Sequence, residues 1–119
     1  MRLLGSIRSG LGDGAQSFMT TWAVCDLTAG PANLVTNENV SSLTDNGAGD
    51  VTLVFQRAYA ATAYAVAAVA QSDAVENPSP YKVQFQGTPA LGSARFLIRD
   101  VSPANSDRSY VAFLIAGLT

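Results

Sequence analysis

The side chains of this chain that could carry out chemistry are carboxylates. Asp73, Glu76, Asp100 and Asp107 fall in loops or at a strand end, and a carboxylate pair is the combination that hydrolyses glycosidic bonds. Nothing in their spacing selects a pair. The chain has no histidine and one cysteine, which removes Ser-His and Cys-His nucleophiles and most zinc sites. The sequence therefore predicts a protein that is not an enzyme and has no cofactor.

A further acidic group surrounds a turn. Asp45 and Asp50 bracket Asn46, Gly47 and Gly49. A calcium loop needs ligands at alternate positions and a distant bidentate glutamate, and this spacing provides neither. Short side chains that bond to their own backbone, together with glycines, are typical of a tight connection between strands. We expect a structural turn here and no metal.

These residues are set among short segments that alternate in polarity, as β-strands do. Residues 20–27 form the first predicted strand, with Trp22 anchoring the core and Cys25 as a buried thiol. Residues 33–42 form the second. A β-hairpin is predicted over residues 39–55. Further strands are predicted at residues 81–86, at 94–101, and at 110–116, which is apolar on both faces and so should be central and well buried. The pattern predicts an all-β fold, an antiparallel β-sandwich or jelly roll of seven or eight strands.

The alanine-rich segment of residues 57–71 is open to two interpretations. Alanine favours a helix by intrinsic propensity. Tyr64, Val66 and Val69, with no charged residue after Arg57, favour a strand over residues 63–71. The strand is the preferred prediction, and its small side chains would allow close packing against a neighbouring sheet or around a threefold axis.

One run of residues resembles a known family. Asn39 begins the sequence NVSSLTDNGAGD, which follows Trp22 and precedes Phe55 and the triplet Tyr64-Ala65-Val66. Over residues 20–119 this order resembles a domain found at the C-terminal ends of tailed-bacteriophage fibre and tail proteins. The resemblance implies a β-domain that is typically trimeric.

Composition fits an association between copies. Only 13% of the residues are charged and 48% are hydrophobic, whereas a soluble domain usually has about 25% charged residues. Either uncharged polar residues cover the surface, or part of it is buried between copies, as the resemblance to trimers favours. The net charge of −2 and the scattered basic residues argue against nucleic-acid binding. The longest apolar run is too short for a bilayer span, so no membrane insertion is expected.

The sequence thus predicts a single domain over residues 20–119, preceded by a flexible or attachment arm at residues 1–19. The expected function is that of a structural protein of the virion, assembled in the host cytoplasm: a homotrimeric fibre or tail-tip domain that contacts other virion proteins and a host-surface glycan or protein. A capsid decoration or head-fibre protein is one alternative, and a glycan-binding module or depolymerase is another. Surface contacts are predicted at loop residues gathered at the ends of the sandwich: Asp73, Glu76, Asn77, Tyr81, Asn105, Asp107 and Arg108.

Overall fold

A computed structural model describes residues 17–29, 31–71, 81–99 and 105–119. These residues form eight strands: β1 (Phe18–Asp26), β2 (Asn33–Glu38), β3 (Val40–Gly47), β4 (Asp50–Phe55), β5 (Ala65–Ala70), β6 (Lys82–Phe85), β7 (Ser93–Arg99) and β8 (Val111–Leu118). Sheet A has the order β2-β1-β8-β5 and sheet B the order β3-β4-β7-β6. All strand pairs are antiparallel. The predicted antiparallel β-sandwich is confirmed, and β1 begins at Phe18, two residues before the predicted domain boundary.

The hairpin that the sequence places after Asn39 is formed by β3 and β4. Gly47 and Gly49 both have positive φ, 131° and 57°, which a glycine adopts without a steric penalty. Asp45 accepts the Gly47 backbone N–H at 3.0 Å through one carboxylate oxygen and the Ala32 N–H at 3.0 Å through the other. The carboxylate is therefore part of the turn structure, as predicted.

The single strand predicted over residues 33–42 is wrong. The chain turns at Asn39, which has a φ of 64°, a left-handed conformation that asparagine tolerates better than most residues. Its side chain donates to the Thr21 hydroxyl at 2.8 Å and accepts the Arg57 N–H at 2.7 Å. β2 therefore ends in sheet A and β3 begins in sheet B.

Each sheet contributes one face to the core. The inward residues of β1, β4, β7 and β8 are buried, and an array of neighbouring rings joins the two sheets: Phe55, Tyr59, Tyr64, Phe85, Phe96 and Phe113. Thr21 is fully buried, and its hydroxyl lies 2.6 Å from the Tyr59 hydroxyl. Cys25 is fully buried, as predicted, and burial raises the pKa of its thiol to about 12.

The alanine-rich segment forms a strand, β5, which confirms the preferred prediction. It pairs with β8 in an unbroken register from Ala65 opposite Ala116 to Ala70 opposite Val111. β8 lies between β1 and β5, so its predicted central position is also confirmed. The prediction that β8 is buried on both faces is wrong, because Leu114 is 51% exposed.

Candidate subunit interface

The outer face of sheet A is apolar. Alternation along β1, β8 and β5 turns one set of side chains into the core and the other away from it. The outward set consists of Phe18, Thr20, Trp22 and Val24 on β1, Ala112, Leu114 and Ala116 on β8, and Ala65, Ala67 and Val69 on β5. We call these side chains the sheet A face. Trp22 belongs to it and is 37% exposed, so the prediction that Trp22 anchors the core is wrong.

Strand register places the apolar side chains of the face next to one another. Trp22 lies opposite Leu114, which lies opposite Ala67. In the next row Ala112 separates Val24 from Val69, and Val69 is 62% exposed. Three strands about 4.8 Å apart and about 20 Å long present an area of roughly 300 Å². An apolar patch of this size is as large as the largest one on a typical monomeric protein, which is often functional.

The outer face of sheet B has the opposite character. Its outward side chains are mostly polar or charged: Ser42, Thr44, Asn46, Asp50, Thr52, Val54, Lys82, Gln84, Arg95, Leu97 and Arg99. In sheet A the charged residues are Asp26 and Glu38, at the end of β1 and on β2, and β5 and β8 contain none. One face of the sandwich is thus suited to water and the other to an apolar partner.

The sheet A face has relief as well as apolar character. A depression of about 220 Å³ lies between β5 and β8, lined by Ala67, Ala68, Val69, Ala112, Phe113 and Leu114. Leu114 and Val69 project beside it, whereas the alanines leave it open. Projections and a depression on one surface allow a second copy of that surface to interlock with it, which a flat face would not.

A bidentate salt bridge between Arg95 on β7 and Asp50 on β4 links two strands on the outer face of sheet B. The Arg95 guanidinium donates from Nε to Asp50 Oδ1 at 2.8 Å and from Nη2 to Oδ2 at 2.6 Å. The Asp50 side chain is 13% exposed and that of Arg95 is 47% exposed. The hydrogen bond from Arg95 holds the pKa of the Asp50 carboxyl below its ordinary value, against the opposing effect of burial.

Replacing Asp50 with asparagine is expected to lower the free energy of unfolding by about 1–2 kcal/mol at neutral pH, since a charge-assisted hydrogen bond is lost. Arg95 lowers the folded-state pKa, so this contribution is complete above the unfolded-state pKa of about 3.9 and is lost as the pH falls through the folded-state value. Urea unfolding of wild type and Asp50→Asn between pH 7 and pH 2 measures the difference, which should shrink with acid. In an Arg95→Met background the same substitution should cost less at neutral pH. A difference that stays constant with pH would contradict the assignment.

The predicted contact residues Tyr81 and Arg108 come together at one end of the sandwich. The Arg108 guanidinium carbon lies 4.5 Å from the centroid of the Tyr81 ring, and Nη1 donates to the Tyr81 hydroxyl at 3.3 Å. Arg108 Nε also donates to the Gln71 carbonyl at 3.1 Å, and the Ser109 hydroxyl donates to the Gln71 side chain. This cation–π pair is a partly exposed aromatic and basic surface at the start of β6.

Asn105 and Asp107 lie at the same end but support the backbone. Asn105 forms a bridge with Arg99 at the end of β7. Asp107 Oδ1 accepts the Gly49 N–H at 2.7 Å, which ties the chain before β8 to the β3–β4 turn. Asp107 is therefore a structural acceptor for the β3–β4 turn. Asp73, Glu76, Asn77 and Asp100 lie outside the described residues.

Residues 17–29, 31–71, 81–99 and 105–119 contain no three His, Cys, Asp or Glu side chains grouped so that they could hold a metal ion. The same ranges contain no helix long and apolar enough to cross a membrane.

Comparisons with known proteins do not assign the chain to a family. No protein-family model matches it, no curated protein matches it, and no solved structure matches it. The function proposed for this chain therefore rests on the chemistry of its surfaces and on the resemblance over residues 20–119, of which residues 39–50 are the most specific part.

Sequence reasoning did not identify the sheet A face. The signal was present in β8, where Phe113 and Ile115 alternate with Ala112, Leu114 and Ala116, apolar on both sides. In a sequence, such a pattern indicates burial within one chain. Burial between chains produces the same pattern, and only the assembled sheets show that no described element covers the outer side.

Proposed function

We propose that this chain is a structural domain of a tailed-bacteriophage virion, a homotrimeric fibre or tail-tip domain whose copies associate through the sheet A face. The observation that carries the proposal is the contrast between the two outer faces: Trp22, Leu114 and Val69 are exposed on sheet A, whereas sheet B presents charged and hydroxyl side chains. The bacteriophage assignment rests on the resemblance of residues 39–50. The threefold symmetry rests on the same resemblance.

Self-association suits this face for an electrostatic reason. The sheet A face itself contains no charged side chain, and the nearest ones, Asp26 and Glu38, lie at its border on the β1 and β2 side. A second copy centred on β8 and β5 therefore buries no like charges and no unpaired ion. Apolar burial contributes about 25 cal/mol per Å². The low charged fraction of the chain, 13%, supports the same conclusion, because a protein that buries one face between copies needs fewer charges to remain soluble.

The end of the sandwich that contains Tyr81 and Arg108 lies off the sheet A face, so association through that face does not bury this end between copies. An aromatic ring with a guanidinium beside it can stack on sugars or pair with acidic groups. We propose this end as the surface that meets the host.

The oligomeric state tests the proposal directly. Light scattering after size-exclusion chromatography should give a mass for the wild type that is three times the 12.4 kDa chain mass, or a multiple of that trimer. Leu114→Lys should reduce the mass threefold, because a lysine at the centre of the face would have to be buried without a partner.

The matched control is Thr44→Lys, which places the same charge at an exposed position on the outer face of sheet B. Its mass should equal that of the wild type. Leu114 is half exposed in the single chain, so circular dichroism should show the Leu114→Lys chain folded. A wild-type protein that stays at 12.4 kDa at micromolar concentration, or a mass that Leu114→Lys leaves unchanged, would contradict the trimer.

The virion location is tested by immunogold electron microscopy with antibody against this chain on phage particles. Gold at the tail or baseplate is expected for a fibre or tail-tip domain. Gold over the head would favour the decoration or head-fibre alternative. Absence of label, with the epitope shown to be accessible, would overturn the virion role.

A further inference from the structure

The four edge strands of the sandwich differ in how they are protected from pairing with another strand. β2 and β5 are the outer strands of sheet A, and β3 and β6 are those of sheet B. An exposed edge presents unpaired N–H and C=O groups, and proteins block such edges with charges, bulges or very short strands. β5 shows none of these devices within its described residues.

Each of the other three edges is blocked. β2 carries Glu38, and its pairing with β1 shifts register between Val24 and Cys25. β3 carries Asp45, and its pairing with β4 shifts twice. β6 has only four residues and begins with Lys82. By contrast, β5 is six uncharged residues, AVAAVA, in unbroken register with β8.

Register also shows which β5 groups point away from β8. The Gln71 N–H donates to the Tyr110 carbonyl at 2.8 Å, so alternate residues counted back from Gln71 face β8. Val66, Ala68 and Ala70 therefore direct their N–H and C=O groups towards the outer side of the edge. Their side chains point inwards, towards the core.

We propose that two copies of this chain pair antiparallel through their β5 edges, around a two-fold axis at Ala68. Ala68 then lies opposite the partner's Ala68, and Val66 lies opposite the partner's Ala70. This register joins every outward N–H and C=O group of β5 in hydrogen bonds. In this register even-numbered residues of β5 lie opposite even-numbered residues of the partner's β5, and odd-numbered residues lie opposite odd-numbered ones. The sheet A faces of the two copies therefore point the same way and form one continuous apolar surface.

The strand that fits against this edge is the β5 of a second copy. The other three edge strands of a second copy, β2, β3 and β6, are each blocked by a charge, a bulge or a short length. Identical uncharged strands also meet without like-charge repulsion. An isologous contact of this kind closes on itself and does not grow further. It uses an edge, whereas the proposed trimer uses a face, so the two associations are independent and together would give a pair of trimers.

The test is Ala68→Pro. Proline removes the N–H that the pairing needs, and this N–H points away from β8, so the β5–β8 ladder is left intact. By light scattering the wild-type mass should be an even multiple of the chain mass, and Ala68→Pro should halve it. Leu114→Lys reduces the mass threefold by the separate trimer prediction, so failure of either association is recognised independently.

Amide hydrogen exchange gives a second readout that does not depend on the variant folding. In the wild type the amides of Val66, Ala68 and Ala70 should exchange at least about tenfold more slowly than those of Val83 and Phe85. The latter pair faces outwards from the β6 edge, since the Gln86 N–H donates to the Arg95 carbonyl, and it serves as the internal control. Exchange at equal rates, or an odd-numbered wild-type assembly, would overturn the pairing. A third result would also overturn it: the β5 amides are protected in the wild type, but the folded Ala68→Pro chain has the same mass as the wild type. In that case another segment, and not a second copy, would cover the β5 edge.

Discussion

Gly49→Ala is expected to cost about 3–5 kcal/mol of the free energy of unfolding. Gly49 has a φ of 57°, and a Cβ added there would lie 2.5 Å from the Ser106 nitrogen and 2.6 Å from the Ile98 oxygen. Both are backbone atoms held by other contacts, since Ser106 N–H donates to Ile98 O, and Ile98 N–H donates to Gly49 O at 2.7 Å. The three atoms nearest to the added methyl group are all backbone atoms, so no flexible side chain can move aside to make room for it. Thermal and urea unfolding should therefore show the loss of a large fraction of the total stability of a small domain.

Gly92→Ala is the matched control. A Cβ at Gly92 meets no atom within 4 Å, so this substitution should change the free energy of unfolding by less than about 0.5 kcal/mol. Equal, small effects at both glycines would show that residues 105–107 do not lie against the β3–β4 turn. That result would also remove the Asp107 contact with Gly49 described above.

Phe96→Ala is expected to cost about 3–5 kcal/mol, the range for removing a large buried ring. Phe96 is 1% exposed, and its ring centroid lies 4.9 Å from that of Phe85 and 4.7 Å from that of Phe113. Phe113 belongs to β8 in sheet A and Phe96 to β7 in sheet B, so the cavity would open between the sheets. Urea unfolding of the purified variant measures the loss.

Phe96→Leu is the comparison that separates volume from aromatic contact. It keeps most of the apolar volume and should cost about 1.5 kcal/mol or less. If Phe96→Ala were no more damaging than Phe96→Leu, the ring would not bridge the two sheets, and the inter-sheet core would have to be held elsewhere. A larger loss for alanine than for leucine would show that the volume of this side chain fills the space between the sheets, and a clear loss for leucine as well would show that the aromatic contacts add to it.

The sandwich combines a charged outer face with an apolar one, and this division explains the composition. In sheet B, Asp45, Asp50, Lys82, Arg95 and Arg99 are all strand residues. The β5 and β8 strands of sheet A contain no charged residue. The low average charge of the chain is thus the average of two different surfaces, the charged outer face of sheet B and the uncharged sheet A face. The proposed trimer and the proposed β5 pairing both use the uncharged side.

Local chemistry was enough to predict the hairpin and most strands. Gly47 and Gly49 with Asp45 specify a turn whatever surrounds them, because the requirement for positive φ and for short polar side chains is local. Alternation specified β6 and β7 within a few residues, since a side-chain period of two needs no partner to be visible. The choice of strand for Ala65–Ala70 came from its own β-branched residues and lack of charge, together with the pattern of the family that the chain resembles.

The break at Asn39 could not be predicted in this way. Residues 33–42 alternate well enough for one strand, and only the buried Thr21 hydroxyl and the Arg57 N–H, distant in sequence, hold Asn39 at a φ of 64°. The position of Trp22 was missed for a related reason. A large ring on an apolar strand predicts burial, but which of two apolar faces becomes the core depends on where the second sheet lies.

Residue types and short-range periodicity are enough to predict the all-β class, the β3–β4 turn, the buried state of Cys25 and the lack of histidine-based chemistry. Tertiary structure alone decided which apolar face of β1 and β8 is covered, which strand edge is left unblocked, and that Tyr81 and Arg108 meet while Asp107 serves the turn at Gly49. These features depend on contacts between residues far apart in the chain, and an alternating pattern is the same whether a face is buried by its own second sheet or by another copy.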